Sequence, residues 1–112
     1  MSYTYLAAPY YHPDPAVVEK RMEYLYRYVA FRLKMGGIIF CPVVHCHELA
    51  VRHNLPTEFS FWRNYNAAML ATAAKLQVLQ LDGWDKSAGV GTEILLAQDL
   101  SIPLELVKPL EF

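Results

Sequence analysis

The sequence predicts an α/β protein in which a parallel sheet of four or five strands is covered on both faces by helices, a three-layer α/β/α sandwich. Three observations predict it. Short apolar, β-rich runs alternate with longer helical stretches along the whole chain; glycine and proline punctuate the runs; and 112 residues suffice for one core but not for two. Strands separated by helices must run parallel, because the crossover between them is almost always right-handed and packs a helix back onto the sheet. A single domain over residues 1–112 is expected.

The first run, SYTYLAAP, reads as a buried strand beginning near Tyr3 and stopping at Pro9. Asp14 and Pro15 start a helix, the carboxylate capping free N–H groups while proline takes the first helical position, where it needs no N–H. Val18, Met22, Leu25, Val29 and Leu33 give that helix one apolar face, and Gly36-Gly37 end it. Ile38–Cys41 is the second strand. HCHELAVRHNLP is too polar and irregular for a core element, with room for a short helix, and a loop of that length often belongs to a site. Helical spacing returns over residues 57–74, with Phe61, Tyr65, Ala68, Met69 and Thr72 near one face. Leu76–Leu81 is the third strand, GTEILLAQDL a helix, and a fourth strand begins near Pro103. The order of elements is that of a flavodoxin- or Rossmann-like fold.

Composition narrows the function classes. A formal charge of −1, with scattered basic residues, leaves no electrostatic footprint for a nucleic acid polymer. No apolar run reaches the roughly 18 residues that span a bilayer, and MSYTYLAAPYYHPD lacks a basic segment followed by a long apolar one, so no membrane partner and a cytoplasmic location are expected. Cys41 and Cys46 are too few for a disulfide framework and match no common zinc spacing.

In parallel α/β folds ligands sit beyond the carboxyl ends of the strands, which directs attention to AAPYYHPD, CPVVHCHE and DGWDKSAGVG. In the last, Ser87, Gly89 and Gly91 stand where a helix begins and free N–H groups favour an anion. Glu93 follows. A carboxylate in a first helical turn is favourable for the dipole alone; the functional alternative is that the positive helix end keeps it ionised as a nucleophile.

YLAAPY, WRNYNAAML followed by LQVLQLDGW, and SAGVGTEILLAQDLSIPLELV together resemble the nucleoside 2-deoxyribosyltransferase-like superfamily, which includes the 2-deoxynucleoside 5-phosphate N-hydrolases. The resemblance covers most of the chain, the middle loop least, and rests on an SxGxGxE pattern in a strand-loop-helix unit. It implies that Glu93 attacks the anomeric carbon of deoxyribose as the base leaves, that Ser87 contacts the sugar or its phosphate, that Gly89 is the loop glycine, and that Tyr10 lines the pocket. It implies a nucleoside or nucleotide as small-molecule partner, no cofactor, and a homo-oligomer, dimer or tetramer, with Trp62 as one contributor.

The chain departs from the superfamily at one position. An aspartate common on the central helix aligns with Asn66, or in the other register with Asn64, and an amide has no carboxyl proton to give. Asn66 remains a candidate for orienting substrate. Candidate acids are Asp82 and Asp85, which are equally ordinary turn residues, and His45 and His47 after the second strand. His-x-His on an extended segment would place two ligands on one face, but no third or fourth follows at set spacing, so no metal is expected and His45 is read as substrate-facing. Two functions stay open: cleavage or transfer of the N-glycosidic bond of a deoxynucleoside or its 5-phosphate, with Glu93, Asn66 and Asp82 as catalytic candidates, or a nucleotide-binding module without turnover.

Overall fold

Thr4–Ala7 (β1) and Lys75–Leu79 (β3) pair in parallel at the centre of a four-stranded sheet, flanked by Ile39–Phe40 (β2) and Leu104–Val107 (β4) in the order β2-β1-β3-β4. In the computed structural model, which describes residues 2–112, every strand pair is parallel, and helices Pro15–Lys34 (α1), Pro42–Arg52 (α2), Phe59–Ala71 (α3) and Ala88–Asp99 (α4) connect them. The expected three-layer α/β/α sandwich is the observed architecture. Met1 lies outside the described residues.

Alternation along the central strands builds the layers. Leu6, Ala8 and Leu79 face Met22, Leu25, Tyr28 and Val29 of α1, whereas Tyr5, Ala7, Leu76 and Val78 face Leu70 of α3 and Val90 and Ala97 of α4. Each fully buried leucine among them stabilises the fold by roughly 1.5–3 kcal/mol.

The ends of α1 follow local rules. Asp14 Oδ1 accepts from the Ala16 N–H at 3.0 Å, with Pro15 at the first position. At the other end Gly36 adopts φ +87°, and the Gly37 and Gly36 N–H groups donate to Arg32 O and Leu33 O at 2.9 and 3.0 Å. Leu33, expected on the buried face, is exposed. Arg32 takes its place over the sheet, donating from Nη1 to Gln77 Oε1 at 2.9 Å.

Three sequence expectations are corrected. The stretch after β2 is an eleven-residue helix, because Pro42 is a favourable first helical residue and Val43, Val44 and Ala50 turn inward while the histidines and Glu48 sit among them. The helix spanning Phe59–Ala71 buries Asn66 and Leu70, whereas Phe61 and Tyr65 are 51% and 47% exposed; its packed stripe lies one residue further round than the aromatic spacing suggests. The final helix begins three residues before Gly91, because Ser87 caps it by accepting from the Val90 N–H at 3.2 Å. Among the described residues no helix is long and apolar enough to cross a membrane.

Candidate functional site

The chain leaves β1 towards β2 on one side and returns to place β3 on the other, so the loops after β1 and β3 diverge and open a crevice at their carboxyl ends. A cavity of about 460 Å³ lies there, within the range that small molecules occupy. Its floor is Ala7, Ala8 and Glu93; Pro42, Val43, Cys46 and His47 of α2 line one side, Phe59, Trp62 and Asn66 of α3 and Lys86, Ser87, Gly89 and Val90 another, with Tyr10 and Tyr11 beside them.

One guanidinium holds the two loops together. Arg21 of α1 donates from Nη1 to Tyr10 O and Tyr11 O at 3.3 and 3.0 Å, and from Nη2 to Asp82 O at 3.0 Å. Gly83 makes the approach possible: it adopts φ +90°, and a Cβ there would stand 2.7 Å from Arg21 Nη2.

Glu93 lies in the second turn of α4, past the free N–H groups of the helix start, and is only 6% exposed. The expectation that the helix end keeps it ionised is therefore corrected. Burial dominates and pushes its carboxyl up to about 7; the Tyr5 hydroxyl, donating to Glu93 Oε2, opposes the shift by stabilising the anion. Tyr5 is itself wholly buried, and desolvation followed by the neighbouring Glu93 raises its phenol far above the ordinary range. The proton of this pair accordingly rests on Tyr5 when Glu93 is charged.

Asn66 reaches the same cavity from α3. It is 7% exposed, and its Oδ1 is buried without a hydrogen-bond partner. Leaving such an acceptor unpaired costs about 1–3 kcal/mol, a cost that a ligand donor in the cavity removes.

The cavity gathers Glu93, Asn66, Tyr10, Ser87 and Gly89 and leaves out Asp82, Gly91 and His45. Ser87 Oγ serves as the helix cap, which leaves its O–H as a donor. At Gly89 a Cβ would meet Phe59 Cδ2 at 3.4 Å, so the glycine lets α3 and α4 close on each other. Asp82 and Asp85 are exposed on the turn after β3, where Asp82 contributes its backbone carbonyl. His45 is exposed, and its Nδ1 lies 2.7 Å from Cys41 O. On a helix two residues of separation turn His47 to another face, where its Nδ1 lies 2.7 Å from the Tyr10 hydroxyl and its ring meets Tyr10 edge-on. The paired-ligand geometry expected of an extended His-x-His is thereby lost.

Sequence reasoning missed Tyr5 and Arg21, and it named His47 as a candidate acid but took His45 as the substrate-facing histidine. Tyr5 sits in an apolar strand and reads as core; only the pairing of β1 with β3 brings it under α4. A helical reading of residues 42–52 would have separated His45 from His47.

The fold and this cavity define a small parallel α/β protein with a ligand-sized cavity at the switch point of its sheet. The chain belongs to the family described as "Domain of unknown function (DUF1937)", whose model matches residues 2–107. No curated protein matches it.

Proposed function

We propose that the protein cleaves or transfers the N-glycosidic bond of a 2-deoxynucleoside or its 5-phosphate, with Glu93 as nucleophile. The observation that carries this reading is a buried carboxylate lining a ligand-sized cavity, held by the Tyr5 hydroxyl on the helix that Ser87 caps. One Glu93 oxygen bonds to the anomeric carbon as the C–N bond breaks and its electrons leave with the base; water or a second base then displaces the ester. A buried carboxylate is less solvated than one in water and so more nucleophilic once ionised, and the Tyr5 hydrogen bond aims it. Trp62, Phe59 and Tyr10 supply apolar surface for a base. The chemistry calls for no cofactor. The test is intact-protein mass spectrometry after incubation with deoxynucleosides and their 5-phosphates, with Glu93→Ala as control. A deoxyribosyl adduct or free base that needs Glu93 supports the reading; ligand binding without base release across the panel rejects it.

Asn66 favours a second reading, a binding module for the same ligands without turnover, because its amide cannot protonate a leaving base. Glu93→Ala would then cost only local contacts. The outward aromatic face of α3, with Phe61 and Tyr65, supports a homo-oligomer packed through that helix.

A further inference from the structure

The reading above lacks a proton donor for the departing base, since Asn66 holds no acid proton. Asp82, Asp85 and His45 do not line the cavity, while Glu58 and Lys86 do so from exposed positions. His47 is different. It is partly buried in the cavity wall and oriented by Tyr10, whose hydroxyl lies 2.7 Å from its Nδ1.

His47 and Tyr10 also form part of a second, more open groove of about 800 Å³ between α1 and α2, lined by the carboxylates Glu19, Glu23 and Glu48. The imidazole thus belongs to a wall with the cavity on one side and a more open, acidic groove on the other. That is a placement suited to a proton donor: in the wall of the cavity beside a bound group, with solvent access behind it.

We infer that His47 is the general acid for the leaving base and that Tyr10 is its positioning residue; the inference rests on the glycosidic reading of the site. Nδ1 is engaged by the Tyr10 oxygen, so Nε2 is the nitrogen free to carry the transferred proton. As Glu93 bonds to the anomeric carbon and the C–N electrons pass to the base, the Nε2 proton of the imidazolium moves to the base nitrogen. His47 is then neutral. In hydrolysis it takes a proton from the water that attacks the deoxyribosyl ester, so the cycle converts substrate and water into base and free sugar with no net proton on the protein. In transfer, the incoming base returns the proton as it bonds to the sugar.

The experiment compares two leaving groups on the same deoxyribose, with and without 5-phosphate. One is a natural base, which must be protonated to leave. The other is 4-nitrophenolate, which leaves as an anion. His47→Gln and His47→Asn should lower kcat/KM on the natural base by about 10²–10³-fold and change release of nitrophenolate by less than about threefold. Tyr10→Phe should give the same pattern with a smaller loss. Nitrophenolate release also reports that each variant is folded. Equal losses on both substrates, or no loss on either, would overturn the role of His47 while leaving the glycosidic reading intact. A wild-type protein that releases neither leaving group would overturn both.

Discussion

Tyr5 on the central strand and Glu93 on the last helix, 88 residues apart in sequence, share one buried hydrogen bond beneath the cavity. The pair opposes two effects on one carboxyl group. Burial favours its neutral form and the phenol its anion, and burial is the larger, leaving Glu93 at about 7.

That balance makes folding stability depend on pH. In the unfolded chain Glu93 ionises near 4.5 and in the folded one near 7, so between these values the folded state binds more protons. Stability from this group is full below pH 4.5, falls as pH rises through about 7, and is flat above, a loss of about 3 kcal/mol. Urea unfolding of wild type against Glu93→Gln should show the slope in the first and a flatter profile in the second, with the variant more stable at pH 8.

The same titration governs turnover under the proposed reaction. The nucleophile is the anion, so on the nitrophenyl substrate, whose leaving group needs no proton, kcat/KM should rise with pH through about 7. Tyr5→Phe removes the group that favours the anion, and the rising limb should move to higher pH with little change in the plateau substrate affinity. Rate profiles of the two proteins check this.

Arg21→Met keeps the aliphatic stem of Arg21 and removes three hydrogen bonds to loop carbonyls. A stability loss of about 2 kcal/mol is expected. The diagnostic effect is local: amide hydrogen exchange should quicken in the β1 and β3 loops together. Gly83→Ala should reproduce it, since its methyl displaces the same guanidinium.

Asn66→Leu replaces an unpaired buried acceptor by an apolar group of similar size. Chemical denaturation of the free protein should show a gain of about 1 kcal/mol, and calorimetry with deoxynucleoside 5-phosphates should show at least a tenfold loss of affinity.

Under the proposed packing of copies through α3, Phe61→Glu should shift sedimentation from oligomer to monomer without altering the melting transition of the fold, because Phe61 is half exposed and contributes little to the core.

The alternation of runs, the Asp14-Pro15 start and the Gly36-Gly37 stop follow from short-range rules, and they were enough to specify the three layers and the loops that flank the site. Ser87, Gly89 and Glu93 were likewise visible at an expected helix start, whereas Asn66 and Tyr10 came only through the superfamily resemblance. Three things only the tertiary structure decided. The inward stripe of α3 depends on what packs against it, and the cavity accepts Asn66 where periodicity alone would place aromatics. The choice of His47 over His45 depends on residues 42–52 being helical, which inward packing of Val43, Val44 and Ala50 supports against a polar local sequence. The state of Glu93 depends on Tyr5, brought to it by parallel pairing across the chain. Local sequence encodes backbone preference over a few residues, whereas desolvation and long-range hydrogen bonds are properties of what folding brings together.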